Sequence, residues 1–332
     1  MHFLIVGVGS IGERHLRNFL RIQDVRCSIA EVNAKTRDKI AAEYSVVAAY
    51  ADYRDADLAS FDGIVICVPA NLHVPIAIDA VRAGTHVLSE KPLAMCLEGV
   101  DELKRLRDEQ QRIVSVAFPL RTDPLHREMK ERIDSRELGD VQVMNCYTGQ
   151  YWPRMRRDYP PQYAQKRETG GGVIPDMLVH VVNFMEWVLG PPRAVSAGQW
   201  RLTLKDIATE DTGYVVLHFD DDRVSYLTIC LFQRDTTSRL EAIAAGGTYQ
   251  LRHGSDSLNI FVDKTGKWMQ GRSRALERDE VFLAQARHFI DCINGKDTPR
   301  CSVEDAEQTL RTVLAALDSS DNQNCLVQVD RV

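Results

Sequence analysis

Short apolar runs alternate with amphipathic stretches along the first 120 residues of the chain. The runs are nearly continuous in apolar residues, whereas the stretches between them repeat apolar residues at the spacing of a helix face. Continuous apolar strands separated by helices are typical of a parallel sheet that is covered on both faces. The pattern therefore predicts a doubly wound α/β domain with strands at 3–8, 25–30, 63–68, 86–89 and 113–117, and helices at 11–22, 34–44, 75–83 and 97–109.

The second part of the chain has a different pattern, in which β-rich runs follow one another and turn residues stand between them. Clusters such as Asp-Asp-Asp at 220–222 and Gly-Gly at 246–247 mark these turns. The pattern predicts an α/β domain with a large, open, meander-like antiparallel sheet. Its strands are expected at 139–152, 193–204, 211–219, 223–232, 238–245 and 258–262, and its helices at 123–135, 176–189, 279–293 and 302–318. No low-complexity linker separates the two parts, and the predicted domains are 1–120 and 121–332.

Composition and charge narrow the class of protein. A length of 332 residues is enough for two domains, and 44% hydrophobic with 27% charged residues is the balance of a soluble globular protein. The net charge of -6 argues against a nucleic-acid partner, since binding phosphates takes an excess of cations. No apolar run approaches the ~20 residues of a membrane span, and eight cysteines without a C-x-x-C pair are expected to be reduced core residues. These features predict a cytoplasmic protein without a membrane partner.

A glycine-rich turn follows the first predicted strand and opens the first predicted helix. It reads Gly-Val-Gly-Ser-Ile-Gly at residues 7–12. Gly7 permits the tight turn, Gly9 lets the backbone approach a pyrophosphate, and Gly12 lets helix and strand pack closely. The amide groups of Ser10 and Ile11 at the helix N-terminus would face the phosphates. By itself the motif is also compatible with a turn that binds nothing, but its place between a strand and a helix predicts a dinucleotide site.

An acidic residue supports the same site. Glu31 ends the second apolar run, 19 residues after Gly12, where a carboxylate would accept hydrogen bonds from the adenosine ribose of NAD. The same carboxylate would repel the additional phosphate of NADP, so NAD is the expected cofactor. Lys35 and Arg37 are close to Glu31 in sequence, and their positive charges would favour the additional phosphate of NADP.

Two further segments, together with the glycine turn, form a specific combination of motifs. They are Ala-Asn-Leu-His at 70–73 followed by Ala-Gly-Thr-His-Val-Leu-Ser-Glu-Lys-Pro at 83–92, and Gly-Gly-Gly-Val-Ile-Pro-Asp-Met-Leu-Val-His at 170–180. Across nearly its whole length the chain resembles the glucose-fructose oxidoreductase / inositol dehydrogenase / MocA (Gfo/Idh/MocA) family. The resemblance implies a Rossmann domain, a C-terminal α/β domain with an open antiparallel sheet, and an NAD(P)-dependent oxidoreductase that acts on a sugar, inositol or sugar-acid derivative.

Lys91 is the first candidate for proton transfer. Oxidation of an alcohol by nicotinamide requires a base for the hydroxyl proton, and Lys91 follows a predicted strand at the carboxyl edge of the sheet, where such sheets bind ligands. The alternative is an exposed lysine at a strand end without a catalytic role. In the resembled family the matching lysine contacts the reacting hydroxyl, and its bond to the following proline, here Pro92, is often cis.

Three further residues, Glu90, Asn71 and His73, are expected at the cofactor site. Glu90 belongs to the same Glu-Lys-Pro tripeptide as Lys91, and residues that match Asn71 and His73 lie near the nicotinamide in the family. For His73 a role in starting a helix is an equal alternative, because Pro75 occupies a favourable first-turn position.

Asp176 and His180 are four residues apart and would share one face of a predicted helix. A histidine titrates near neutral pH, and a neighbouring carboxylate stabilises its charged form. In the family the matching residues bind substrate and act as general acid/base, which makes Lys91, Asp176 and His180 the expected catalytic residues. The alternatives are an Asp176 that caps the helix with a buried structural His180, or a metal pair. Two ligands without a third rarely hold zinc, so no metal is predicted.

The segment 151–163 combines aromatic and basic residues shortly before the glycines at 170–172. Residues 150–170 include five basic and two acidic side chains, a local charge of +3 in a chain whose net charge is negative. Trp152 suits a sugar ring, and Arg154 and Arg157 suit a carboxylate or phosphate, so these residues are expected to bind an anionic, sugar-like substrate. A solvated loop or a subunit contact is the alternative. Arg121, just after a predicted strand, is a further candidate for substrate contact.

Three functions stand side by side at this point. The leading one is an NAD-dependent dehydrogenase of a sugar, inositol or sugar acid. The second is an NAD-dependent glycosidase that oxidises a sugar transiently, eliminates the aglycone and reduces the product again. The third is a non-catalytic regulator that senses dinucleotide, against which Lys91, Asp176 and His180 argue together. The resemblance further implies a homodimer or homotetramer formed through the open sheet.

Overall fold

The computed structural model describes residues 1–156, 159, 161–272 and 275–332. The chain forms two compact units, and both are discontinuous in sequence. The first unit contains Met1–Thr122 and Glu277–Glu307, and the second contains Asp123–Leu276 and Gln308–Val332. A division at residue 120 therefore leaves out a C-terminal segment that returns to the first unit.

Six parallel strands and four connecting helices make up the N-terminal part of the first unit. The strands are β1 (His2–Val6), β2 (Arg26–Ala30), β3 (Ala49–Tyr50), β4 (Gly63–Ile66), β5 (His86–Glu90) and β6 (Val114–Ala117). The helices are α1 (Ser10–Phe19), α2 (Ala34–Glu43), α3 (His73–Arg82) and α4 (Val100–Gln110). The expected doubly wound α/β fold is confirmed. The structure adds β3, whose two residues are too few to show in the apolar pattern.

The strand order of this sheet locates its ligand crevice. The order is β3-β2-β1-β4-β5-β6, so the direction of winding reverses between β1 and β4. Every residue of β4 is buried, and Phe3 and Ile5 of β1 have no solvent exposure, as expected for strands covered on both faces. In open sheets of this kind, ligands bind beyond the carboxyl ends of the strands at the point of reversal. That point lies beyond β1 and β4.

The second unit is built on a nine-stranded sheet. Its strands are β7 (Val141–Tyr151), β8 (Ala194–Trp200), β9 (Thr212–His218), β10 (Val224–Cys230), β11 (Phe232–Ala244), β12 (Gly247–Arg252), β13 (Asn259–Val262), β14 (Lys267–Gln270) and β15 (Val327–Gln328). Its helices are α5 (Pro124–Asp134), α6 (Trp152–Met155) and α7 (Val179–Leu189). Two more helices follow: α8 (Arg278–Ile293), in the first unit, and α9 (Val303–Asp321), which begins in the first unit and ends in the second.

This sheet is mixed, although its pattern predicts an antiparallel meander. The strand order is β14-β13-β12-β11-β7-β10-β9-β8-β15. β7 pairs antiparallel with β11 and parallel with β10, and the other pairs are antiparallel. Buried and exposed residues alternate along β9 and β10, which identifies a sheet with one covered face. Such alternation does not reveal the direction of the partner strand, so the parallel pair was not foreseen.

One helical stretch, Arg167–Leu189, is long and apolar enough to cross a membrane by length and composition alone. Of its most apolar window, 72% is buried inside the protein, which is typical of a core helix of a soluble protein. All eight cysteines are free, and five of them are buried as expected. Cys96 and Cys325 are exposed, because both lie outside helices and strands, and for them the expectation of a core position is wrong.

Helix α8 completes the core of the first unit. Phe289 is 1% exposed, and its ring centre lies 6.1 Å from that of Phe3 on β1. At the start of α8, the carboxylate of Asp279 lies 3.2 Å from Arg14 and 2.8 Å from Arg17, both on α1. Periodicity identifies the apolar face of α8 but not its partner, and so cannot assign the helix to a unit.

Phe289→Ala is expected to lower the stability of the protein by about 3–5 kcal/mol, the usual cost of removing a buried aromatic ring. The measurement is the urea concentration at the midpoint of unfolding, followed by circular dichroism. Arg287→Ala, two residues earlier and exposed, is the matched control and should leave the midpoint unchanged. Equal midpoints for the two variants would contradict the place of α8 in this core.

Candidate active site

The glycine turn brings three backbone segments into contact at the crevice of the first unit. Gly7 has a φ of +81°, and a Cβ on it would lie 2.7 Å from the carbonyl oxygen of Cys67, just beyond β4. A Cβ on Gly12 would lie 1.8 Å from the carbonyl oxygen of Gly7. Both positions therefore require glycine, the first for its conformation and both for space.

Open space lies in front of this turn. A Cβ on Gly9 would meet no atom within 4 Å, and Gly9 is the N-cap of α1 without a side-chain cap. The first hydrogen bond inside the helix runs from Glu13 N to Gly9 O, so the amide groups of Ser10 and Ile11 have no partner within α1. These donors, with the positive end of the helix dipole, fit the pyrophosphate of a dinucleotide.

The carboxylate of Glu31 is fixed beside the turn. One of its oxygens accepts a hydrogen bond from Val8 N and the other from Asn33 N, each at 2.9 Å. The guanidinium of Arg37 donates to the carbonyl oxygen of Glu31 at 2.9 Å and lies 3.8 Å from Asp38. Arg37, which weighs against NAD in the sequence, is thus held by its own neighbours. A carboxylate in this place fits a ribose hydroxyl better than a phosphate.

Lys91 and Asn71 lie at the same edge of the sheet as the glycine turn. Lys91 directly follows β5 and is half-buried, and its bond to Pro92 is cis, as the resemblance implies. Asn71 is exposed in a short 3-10 turn after β4. Because β1, β4 and β5 are parallel neighbours, their carboxyl ends meet at one edge. The structure therefore brings these residues to the crevice.

Glu90, a predicted cofactor residue, is buried, and its carboxylate has partners within the protein. The residue is 7% exposed, and its carboxylate accepts a hydrogen bond from Lys91 N at 3.1 Å. Its other oxygen lies 2.9 Å from His15 Nε2 on α1. Burial alone would raise the pKa of the Glu90 carboxyl, but the hydrogen bond to His15 and the positive charge of Lys91 hold that pKa below its ordinary value.

Sequence reasoning left His15 without a partner, although a signal was present. His15 lies four residues from both Ile11 and Phe19, on the apolar face of α1, and it is 1% exposed. A buried polar side chain requires a hydrogen-bond partner, so a buried position for His15 already implies one. The pattern does not say that the partner is Glu90, which comes 75 residues later.

His73 and Arg121, predicted for the cofactor and the substrate, are also buried and hydrogen-bonded within the protein, and both assignments stay predictions. The ring nitrogens of His73 lie 2.8 Å from the carbonyl oxygens of Pro92 and Val68, and the residue is 1% exposed. It is also the first residue of α3, in line with the alternative role in starting a helix. Arg121 is 3% exposed and donates to the carbonyl oxygen of Arg300 at 2.7 Å.

In the second unit, the glycines at 170–172 lead into a π-helical segment, Val173–Leu178, which continues as α7. The α-helix thus begins three residues later than position 176, and Pro175, which has no N–H to donate, lies in the π-helical segment. Asp176 is 6% exposed with its carboxylate 3.8 Å from the guanidinium of Arg156, and His180 is half-buried in the first turn of α7. Segments of π-helix are rare and frequently occur at functional sites.

The aromatic and basic segment before these glycines differs from expectation in detail. Trp152 is 2% exposed, and the guanidinium of Arg156 lies 5.6 Å from the centre of its ring. Its role as a platform for a sugar ring stays a prediction. Arg154 is exposed and lies 5.8 Å from the ring centre of Tyr151. Arg157 lies outside the described residues.

Distant parts of the chain change the local charge balance. Arg167 pairs with Glu210 at 2.6 Å and with Asp321 at 2.9 Å, so part of the local cation excess is compensated. Arg234 of β11, which sequence reasoning missed, lies 3.8 Å from the ring centre of Tyr151. No group of three or more His, Cys, Asp or Glu is placed to hold a metal ion in the described parts of the chain.

The doubly wound sheet, the glycine turn and Glu31 define a dinucleotide-binding domain of the Rossmann type. Residues 1–118 match the profile of the GFO_IDH_MocA oxidoreductase family with an NAD-binding Rossmann fold, and residues 126–250 match the GFO/IDH/MocA C-terminal domain. The chain belongs to the Gfo/Idh/MocA family of oxidoreductases.

Named relatives cover most of the chain. It is 31% identical over 274 residues to 1,5-anhydro-D-fructose reductase of Ensifer adhaerens, which covers 78% of this chain and 77% of that protein. It is 23% identical over 334 residues to myo-inositol 2-dehydrogenase of Thermotoga maritima, with 97% of each chain covered. The structure of levoglucosan dehydrogenase in complex with NADH and levoglucosan superimposes with a TM-score of 0.85 at 19% identity, with 100% of both chains covered. At that identity the structural likeness shows the fold.

Glu31→Gln is expected to weaken NAD binding about tenfold or more, since a hydrogen bond to a charged group contributes roughly 1.5–3 kcal/mol. It should also narrow the preference for NAD over NADP, because the repulsion of the additional phosphate is removed. Calorimetric titration of both cofactors measures the two effects. Glu43→Gln, exposed at the end of α2, is the matched control. A wild-type protein that binds NADP as tightly as NAD would contradict this role of Glu31.

Proposed function

We propose that the protein is an NAD-dependent dehydrogenase that transfers a hydride between nicotinamide and a hydroxyl or keto carbon of a sugar, inositol or sugar-acid derivative. The observation that carries the proposal is Lys91 at the end of β5, on the same sheet edge as the glycine turn and Glu31. The relatives named as an anhydro-sugar reductase and an inositol dehydrogenase support the substrate class.

Proton transfer is the part of the reaction that the side chains of this protein perform. Bound nicotinamide supplies the acceptor or donor of the hydride. Lys91 takes the hydroxyl proton in oxidation and returns it in reduction. The backbone around Lys91 is held by the Glu90 carboxylate on one side and by the His73 ring on the other, so the lysine side chain starts from a fixed point.

His180 and Asp176 are the second pair of groups in the proposal. His180 is the general acid/base of the pair, since an imidazole has both a donor and an acceptor nitrogen for a proton. Asp176 binds a substrate hydroxyl through its carboxylate, whose charge is balanced by the guanidinium of Arg156 at 3.8 Å. The π-helical segment supports a functional role for this part of the chain.

The substrate in this proposal carries an anionic group. The guanidinium groups of Arg154 and Arg234 both lie against the ring of Tyr151. Among the described residues neither of them has a carboxylate partner, in contrast to Arg156 and Arg167. A carboxylate or phosphate on the substrate would compensate these charges with forked hydrogen bonds.

The proposal includes a cytoplasmic location and a homodimer or homotetramer. The free cysteines support a reducing compartment. Tyr147, Tyr226 and Trp200 lie on one face of the nine-stranded sheet and are exposed. Large aromatic residues exposed on a common face favour an interface between copies of the chain.

Lys91→Met and His180→Ala are each expected to lower kcat by about 10² or more, the scale of positioned acid-base catalysis, and to leave NAD affinity nearly unchanged. The double variant should lose less than the product of the single effects, since both groups serve one proton-transfer step. A screen of sugars, inositols and sugar acids, followed by NADH absorbance, supplies the substrate on which kcat is measured.

Lys264→Met and His253→Ala, both exposed, are the matched controls and should retain kcat. A near-normal kcat in either catalytic variant would move proton transfer to another residue. Release of an aglycone without accumulation of NADH would identify the NAD-dependent glycosidase instead.

Arg154→Ala and Arg234→Ala are each expected to raise KM for an anionic sugar about tenfold or more and to leave KM for its neutral analogue unchanged. The reason is the loss of a charge-assisted hydrogen bond, which contributes roughly 1.5–3 kcal/mol. Steady-state rates with a matched pair of sugars measure the difference, with the exposed Arg105→Ala as control. If the wild type prefers the neutral sugar, the proposal of an anionic substrate is contradicted. The proposal of a dehydrogenase is not affected by that result.

A further inference from the structure

A buried pair of titratable side chains lies next to Lys91 in the first unit. His15 Nε2 on α1 is 2.9 Å from Glu90 Oε1 at the end of β5. His15 is 1% exposed and Glu90 is 7% exposed. His15 has no place in the proton transfer or the cofactor contacts described above, where Glu90 holds only the backbone of Lys91, so the burial of His15 against Glu90 needs a separate explanation.

The carboxylate of Glu90 joins two parts of the first unit. Oε1 lies against His15 of α1, and Oε2 accepts a hydrogen bond from the backbone N–H of Lys91 at 3.1 Å. A buried carboxylate is stable only where donors and positive charge surround it. The hydrogen bond from His15 is one of the interactions that oppose the effect of burial on Glu90. Its removal would therefore raise the pKa of the Glu90 carboxyl.

The other groups around Glu90 come from three further elements. His73 of α3 and the ammonium group of Lys91 contribute electrostatically, and Cys67 follows β4. Burial raises the pKa of the Cys67 thiol well above its ordinary value, so that group is neutral. From α8 the apolar ring of Phe282 packs edge-on against the His15 ring, at 5.3 Å between centres. His15 is therefore the side chain whose hydrogen bond holds the Glu90 carboxylate from the α1 side.

We propose that His15 is a positioning residue: it holds Glu90 as a carboxylate against the backbone of Lys91 and thereby fixes the point from which the lysine side chain reaches the substrate. The inference rests on the proposed function, in which Lys91 transfers the proton. Helix α1 begins directly after Gly9, and His15 lies six residues beyond Gly9 on the same helix. The helix whose N-terminus fits the cofactor phosphates thus also carries the residue that orients the catalytic lysine.

The test compares two substitutions at position 15. His15→Leu removes the donor and keeps a similar volume, whereas His15→Gln retains an N–H at nearly the same distance from the backbone. A displacement of about 1 Å in a reacting group costs on the order of 10²-fold in rate, so His15→Leu should lower kcat tenfold to a hundredfold. KM and the NAD dissociation constant should stay within about threefold, and His15→Gln should restore most of kcat. A role confined to packing would not separate kcat from KM in this way.

A second measurement needs neither cofactor nor turnover. Carbon-13 NMR of the glutamate carboxyl carbons follows the ionisation of Glu90 in the free protein, with the signal assigned through Glu90→Gln. In the wild type the pKa of Glu90 should lie below its ordinary value, because the hydrogen bond from His15 and the charge of Lys91 oppose burial, and His15→Gln should stay close to the wild type because it keeps a donor to the carboxylate. In His15→Leu the titration midpoint of Glu90 should move upward, since burial is less opposed.

The outcomes separate this inference from the proposed function. A normal kcat in His15→Leu overturns the inference, whatever the Glu90 midpoint does, while a large effect of Lys91→Met still supports the dehydrogenase. A normal kcat in Lys91→Met overturns the proposed function itself. If His15→Leu does not fold, His15→Asn replaces it, because its shorter amide does not reach Glu90, and a normal kcat in that variant overturns the inference.

Discussion

The close approach of backbone to backbone at the end of β1 is the contact on which the site in the first unit depends. A Cβ on Gly12 would come within 1.8 Å of the carbonyl oxygen of Gly7, so α1 packs against the strand with no side chain between them. This packing sets the direction of the whole helix. It opens the N-terminus of α1 to the space where the strand order reverses, and it brings His15, three residues after Gly12, within hydrogen-bond distance of Glu90.

The predicted site residues of the first unit differ in how their charges are compensated. Glu90 and Arg121 are charged and buried, and each has partners that replace the water it has lost. Lys91 and Glu31, in contrast, are half-buried at the crevice, where a ligand and solvent both have access. A charged residue near a site is thus a weak indicator of ligand contact until its own partners are known.

The elements of the first sheet could be predicted from the sequence to within a few residues, because strands buried on both faces leave continuous apolar runs. The glycine turn and Glu31 could be predicted as well, since their roles depend on backbone conformation within about one βαβ unit. Arg121 could not, because its partner Arg300 lies 179 residues away and no local pattern encodes such a contact. The parallel pairing of β10 with β7 and the place of α8 in the first unit escaped for the same reason.

The proposed cofactor site of the first unit and the proposed substrate residues of the second unit depend on the sequence in different ways. Cofactor binding in the first unit uses mainly backbone amides, which many sequences provide once the glycines are present. This fits a relative that aligns over 97% of the chain at only 23% identity. The charged groups proposed to bind a substrate belong instead to side chains, Arg154 after β7 and Arg234 on β11, where the register of the two strands is irregular. Function depends on such side chains more than on the fold, so we expect substrate preference to vary while the fold and the cofactor stay the same.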